Sequence, residues 1–198
     1  MTRLQPLEIN VIGSGRSLNN YPPEFFKNKI NIGVNAVIKE YAEVLTYYMV
    51  LDIQDHIEWV ELAKERFKDK RFFWIWKGIA GRYGVTENEA TLFDLTDGEF
   101  AFGTVESKKL IRGFTVINSA LNLAYLLGSK KINMYGVDMV IENKQAHYDD
   151  KDGEFILTES EIHNYCLRFH RMKKKVRSTV DTIRKKGVEV VNYGKAKT

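Results

Sequence analysis

Two glycines around a serine, at the end of an apolar run, are the first residues in this chain equipped for chemistry. Ile12-Gly13-Ser14-Gly15-Arg16-Ser17 closes the run Leu7–Ile12. Glycines let a backbone turn sharply and approach a ligand with no side chain between. A helix starting near Ser17 would aim its free N–H groups at that turn and hold a phosphate. Arg16 could add a bidentate contact to a phosphate oxygen. The turn is a poor dinucleotide fingerprint, because Leu18 stands where a third glycine belongs and the second apolar run ends on Asn35 rather than an acid. No Gly-Lys-Ser/Thr follows, so it is not a P-loop either. Nicotinamide, flavin and Walker-type ATPase chemistry are not expected.

Other polar groups sit where apolar runs stop. Asn35 offers a donor and an acceptor to a base or ribose edge, or serves as a turn residue. Asp52 and Asp138 are carboxylates that could hold a ribose or a metal, act as a base, or cap a following helix. The loop from Gln145 to Asp152 gathers His147, Tyr148 and three carboxylates, but with no EF-hand spacing, and reads as an acidic surface turn. His163 and His170 lie seven apart, on one face of a helix. Either could be a general base near neutral pH, or a satisfied structural histidine.

The elements that must carry these groups alternate. Leu7–Ile12, Ile30–Val34, Val44–Leu51, Arg71–Trp76, Lys131–Tyr135 and Val188–Asn192 are short runs of branched and aromatic residues, and read as strands. Asp55–Phe67 is an amphipathic helix. Val116–Leu127 is a helix with almost no charge, hence buried on most sides and ended by Gly128. Glu161–Lys186 is a long helix whose apolar positions Ile162, Tyr165, Cys166, Phe169, Met172, Val176, Val180 and Ile183 recur every three or four residues. Lys77–Lys109 has no clear period and reads as a lid-like excursion with a small hairpin near Asp97-Gly98; 139–160 reads as a second loop. The expectation is one α/β domain over 1–198: a Rossmann-like, mostly parallel sheet with helices on both faces and a lid-like insertion. Ligands of such sheets bind beyond the carboxyl ends of the strands, where Gly13–Ser17, Asn35, Asp52 and Gly136–Asp138 converge.

Composition narrows the class. The chain has 198 residues, 44% hydrophobic and 28% charged with only 3 prolines, which excludes collagen-like and disordered readings. One cysteine, Cys166, excludes an internal disulfide framework and suits a reducing compartment. No apolar stretch is long enough to span a membrane and no signal-peptide pattern opens the chain, so a cytoplasmic protein is expected. The net charge of +4 is uneven: residues 161–198 hold 11 Lys/Arg against 3 Asp/Glu. Those cations fall on a helix face without interleaved exposed aromatics, so nucleic acid is not an expected partner.

Three segments together resemble a known group. Val11–Leu18 resembles the opening "IxGxGPSL" of bacterial family 42 sialyltransferases and of the related motility accessory factors and archaeal hydroxymethylpterin diphosphokinases. Ile32–Ala36 is similar to their second-strand "xxxN", and Lys131–Met139 to their "eIyLxGxDf". The resemblance implies a glycosyltransferase core moving a sugar from a CMP-type donor to a hydroxyl of a glycan or small-molecule acceptor. It implies nucleotide contacts from Gly13, Ser14, Gly15 and Asn35, with Ser119 and Gly136 lining the pocket. His163 or His170 would be the base, and Tyr148 would stabilise the leaving phosphate. No metal or cofactor is required by that scheme. The alternatives are a magnesium-dependent diphosphokinase using ATP, with Asp138, Asp52 or the 149–152 carboxylates on the metal, and a non-catalytic nucleotide-binding protein of the same fold. A homo-oligomer is left open.

Overall fold

Runs of branched and aromatic residues favour extended backbone, and strands covered on both faces need no polar alternation. The computed structural model describes residues 7–51, 57–96, 104–113, 115–139 and 158–194. Within them the runs form β1 (Glu8–Ile12), β2 (Ile30–Val34), β3 (Tyr47–Val50), β4 (Phe73–Trp76), β5 (Thr91–Thr96), β6 (Lys109–Ile111), β7 (Lys131–Tyr135) and β8 (Glu189–Asn192). They make one sheet in the order β6-β5-β4-β3-β2-β1-β7-β8, with every neighbouring pair parallel.

The connections include α1 (Ile38–Tyr41), α2 (Ile57–Arg66), α3 (Lys77–Ala80), α4 (Val116–Leu126) and α5 (Glu159–Lys185). From β1 to β6 the chain steps outward one strand at a time. Leu18, Phe26, Ile38, Tyr41, Val60 and Ala63 from these connections bury against Ile12, Tyr48, Phe73 and Ile75 on one face. After β6 the chain reverses. The α4 helix returns across the other face, touching β6, β3, β2 and β1, and delivers β7 to the free side of β1. The switch in direction therefore falls at β1, where a doubly wound sheet opens a crevice beyond its carboxyl ends. Nine of the eleven α4 residues are buried, which accounts for its lack of charge. The α5 helix packs on α4 and β8, and Gly187, with φ +81°, ends it.

The expected Rossmann-like α/β fold with helices on both faces is what the chain forms. Two details differ. Lys77–Lys109, expected as a loop or lid, supplies α3, β5 and the start of β6 instead. β5 and β6 pair in parallel, and the hairpin expected near Asp97-Gly98 falls on residues 97–103, outside the described residues. The α5 helix also begins two residues earlier than its apolar period indicates. Thr158 and Glu161 form a reciprocal capping box there, which satisfies otherwise orphaned N–H groups. Of the 139–160 loop, residues 140–157 lie outside the described residues.

One feature of the sheet was not anticipated. Asn10, Asn31 and Asn133 sit in the middle of three apolar strands and lie side by side in register across β2, β1 and β7. Asn10 Nδ2 donates to Asn31 Oδ1 at 2.7 Å, and Asn133 Nδ2 donates to Asn10 Oδ1 at 3.2 Å. Asn31 Nδ2 donates onward to the carbonyls of Phe26 (2.8 Å) and Val44 (2.7 Å). The ladder ties three central strands to the loops that enter β2 and β3.

Candidate functional site

The glycine turn is built by β1 and the loop after β7. Gly13 N–H donates to Tyr135 O at 2.8 Å and Gly15 N–H to Gly136 O at 2.7 Å, continuing the β1–β7 pairing past the strand ends. Asp138 is buried at 2% exposure. Its two carboxylate oxygens accept from Ser17 N–H and Ser17 Oγ–H, each at 2.6 Å. Glycine is required because the two loops touch. A Cβ on Gly15 would lie 2.6 Å from Gly136 O and 2.7 Å from Asp138 Oδ2. Gly136 has φ +61°, in the left-handed region, and a Cβ there would strike Gly13 O. The segment after the turn, Arg16–Asn20, is a 3₁₀ helix of five residues, too short to build a useful dipole.

This corrects the expected phosphate cradle. The amides of Gly13, Gly15 and Ser17 already have partners within the chain. The negative charge at the turn comes from Asp138, so a phosphate does not take those amides, and Asp138 is a positioning residue whose oxygens are committed to Ser17. Ser14 and Arg16 are half-buried at the rim of the turn.

Unmet hydrogen-bonding capacity lies beside the turn. The register Ile12↔Gly33 places Asn35 level with Ser14, just past the end of β2. Asn35 has φ +52°, a backbone region costing a non-glycine residue about 1–2 kcal/mol. Tyr48 holds it there by donating its hydroxyl to Asn35 O at 2.9 Å. The Asn35 side-chain Oδ1 is buried and, among the described residues, accepts no hydrogen bond. The first turn of α4 arrives at the same edge, because the Ile117 side chain packs against Gly13. Thr115 caps that helix, accepting from Ile117 N–H at 3.3 Å. Asn118, in the same turn, is wholly buried, packs against Gly113, and among the described residues neither its Nδ2 nor its Oδ1 has a hydrogen-bond partner. Buried polar atoms left without partners are rare and call for a ligand or a cost. Asn118 was not singled out from sequence, although an asparagine inside an almost uncharged helix is a visible anomaly.

The remaining candidates fall elsewhere. Ser119 is buried and committed within the chain: its hydroxyl donates to Ile111 O at 2.9 Å, while Asn122 Oδ1 accepts from Ile111 N–H at 2.9 Å, so together they fasten α4 to the end of β6. His163 and His170 are exposed on α5. The buried part of α5 begins at Val176; His170 lies about 9 Å and His163 about 20 Å before it along the helix axis. Asp52 and Tyr148 lie outside the described residues. Among the described residues no group of three His, Cys, Asp or Glu could hold a metal ion, and no described helix is long and apolar enough to cross a membrane.

Two further features bound the site. Tyr135, immediately before Gly136, stacks on Tyr193 (centroids 4.9 Å apart, planes 6° apart) and meets Tyr21 and Phe26 edge-on. Burial, reinforced by the neighbouring Tyr193 and Tyr21, pushes the Tyr135 hydroxyl up to about 12. A cleft of about 590 Å³ among Lys27, Lys29, Arg66, Phe67, Lys68 and Phe72 opens at the opposite, amino edge of β2–β4. It contains neither the glycine turn nor the unpartnered asparagines, and Arg66 there is occupied by Ala42 O at 3.0 Å and Glu43 at 3.7 Å. The carboxyl edge is the chemically equipped one. A scan against family models, a search of curated proteins and a search of solved structures return no match to this chain.

Proposed function

We propose that this protein binds a nucleotide-activated sugar of the CMP type at the carboxyl edge of β1 and β2 and transfers the sugar to a hydroxyl acceptor. Asn35 carries the proposal: a strained backbone, held by Tyr48, keeps an unsatisfied acceptor buried at the topological switch point. A ribose hydroxyl or the exocyclic amine of cytosine supplies the missing donor. The resemblance of Val11–Leu18, Ile32–Ala36 and Lys131–Met139 to the sialyltransferase group points to the same ligand class. With the amides of the glycine turn already occupied, the phosphate is instead assigned to the first turn of α4. That turn favours an anion by about 0.3–1 kcal/mol where exposed, and Asn118 Nδ2 adds a donor. Of the two histidines, His170 stands nearer the packed part of α5 and is the preferred base. A general base contributes about 10²–10⁴-fold to such a transfer.

Thermal unfolding with CMP, CDP, UDP, GDP and ATP, each with and without magnesium, tests this. CMP is expected to stabilise the chain without metal, by about 2.7 kcal/mol at a hundredfold excess over Kd, and Asn35→Ala is expected to abolish the shift. A shift confined to ATP with magnesium would replace the proposal with diphosphate transfer. No shift with any nucleotide would remove the enzyme reading and leave a protein of this fold without nucleotide chemistry.

A further inference from the structure

A second gathering of charge lies at the other end of the sheet, in the cleft of about 590 Å³ at the amino edge of β2–β4. Apolar side chains of Val44, Leu45, Phe67 and Phe72 line it, and so do the cations Lys27, Arg66 and Lys68. The carboxylates beside those cations are diverted or exposed. Asp69 is taken by Arg71, which donates to it from Nε at 2.9 Å and Nη2 at 2.6 Å. Glu43 reaches Arg66 only at 3.7 Å, with its side chain 89% exposed, where water screens the pair. Lys27 has no ion pair or side-chain hydrogen bond among the described residues. Lys68 Nζ has one carbonyl, Lys64 O, at 3.5 Å. Lys29 adds little to the field, because its ammonium lies 3.6 Å from the centre of the Phe25 ring, outside the cleft lining.

The walls are set before any ligand arrives. Asn31 Nδ2 donates to Val44 O at 2.7 Å and to Lys29 O at 3.3 Å, tying together the two loops that flank the cleft. Thr46 N–H donates to Asn31 O at 2.9 Å in the same knot. Arg66 is fixed by bonds from Nε to Ala42 O at 3.0 Å and from Nη2 to Glu43 O at 3.3 Å. Its Nη1 makes no hydrogen bond among the described residues, so the guanidinium keeps donors for an anion. We propose that this cleft binds an organic phosphate. The phosphate faces Lys27, Lys68 and Arg66, and an apolar ring lies on the half-buried Val44 and Phe72. Cations around low-dielectric walls focus a positive field that an anion relieves, and a held guanidinium matches phosphate oxygens. The five residues of β2 span about 16 Å between this cleft and Asn35. The ligand is therefore held at a second site, apart from the carboxyl edge.

Titrating the full chain with phenyl phosphate and with inorganic phosphate, followed by amide proton–nitrogen correlation spectra, tests this. Phenyl phosphate is expected to saturate and to bind about tenfold more tightly than inorganic phosphate, through the apolar area its ring covers. The amides of Asn28, Lys29, Leu45 and Lys68 are expected to shift, while those of Ser14, Asn35 and Asn118 stay. Lys27→Glu and Lys68→Glu replace exposed side chains, so circular dichroism should show an intact fold while each weakens binding about tenfold. Glu43→Gln removes the carboxylate competing for Arg66 and is expected to tighten binding about threefold, a gain that a purely structural role for Glu43 does not produce. A titration that never saturates, charge-reversed variants that bind like wild type, or equal affinity for the two phosphates would each overturn the proposal and mean an adventitious ion only. Shifts centred on Ser14, Asn35 and Asn118 would overturn it as well, because the probe would then fill the carboxyl-edge site.

Discussion

Removing the Asp138 carboxylate tests the central correction to the glycine turn. Both oxygens accept at 2.6 Å from Ser17, at 2% exposure. Hydrogen bonds to a charged acceptor contribute about 1.5–3 kcal/mol each in mutational series, partly offset because the carboxylate no longer has to leave water. Asp138→Ala also strands the Ser17 N–H among backbone that Gly15 and Gly136 hold in place. The expected loss is about 3–4 kcal/mol, or roughly 6–15 °C in Tm for a chain of this size. Asp138→Asn keeps the shape: its oxygen accepts from Ser17 N–H, and its amide donates to Ser17 Oγ, which has lone pairs to accept it. Only the charge assistance goes, at about 1–2 kcal/mol. Urea and thermal unfolding of both variants give the order. Formate or acetate, sized to the void, should raise the Tm of Asp138→Ala and not of wild type. An alanine variant within about 0.5 kcal/mol of wild type, or an asparagine variant worse than alanine, would mean Asp138 does not anchor the turn.

Three further outcomes are expected. Asn31→Ala removes donors to two loop carbonyls and the acceptor for Asn10, and should cost about 3 kcal/mol in urea unfolding with an unchanged m-value. Burial raises both Tyr41 and Tyr135 to about 12, with carboxylates or tyrosines beside each adding to the effect. Their contribution is therefore complete below pH 10 and lost as pH rises from 10 through about 12; Tyr135→Phe should flatten that loss in stability measured against pH. Thr158→Ala removes the α5 cap and should speed amide exchange in the first α5 turn about fivefold, leaving exchange around Val180 unchanged. Hydrogen bonds from Thr158 also hold the Glu161 carboxyl below its ordinary value, so wild type should lose the same protection as pH falls past the usual carboxylate range.

The strands were legible wherever both of their faces are covered. The ends of β2 and β7 agree with the apolar runs residue for residue, because branched side chains in a doubly covered strand leave little else to do. By contrast β5 and β6 were missed. Thr91–Thr96 carries an exposed Asp94, and Lys109–Ile111 is three residues long, so both have the polar, short character of strands near a sheet edge. The glycine turn was visible as a turn, but its occupant was not. Asp138 is 121 residues away from Ser17, and no local pattern distinguishes an internal carboxylate from an external phosphate. Ser119 looked like a pocket residue from its place in a motif, whereas its hydroxyl had been claimed by the end of β6, an element the sequence did not reveal.

The asparagines at the centre of the sheet bear on how the chain avoids assembling wrongly. Strands that are greasy on both sides lack the inside–outside contrast that normally distinguishes a correct alignment from one slipped by a residue. Three amides whose two mutual hydrogen bonds form only at a single offset restore that discrimination. A shifted strand would leave polar groups stranded in oil, so misaligned collapse would be short-lived rather than a trap. Replacing all three with valine should thus leave the sheet strong but slow to settle, with several alignments competing where one now prevails.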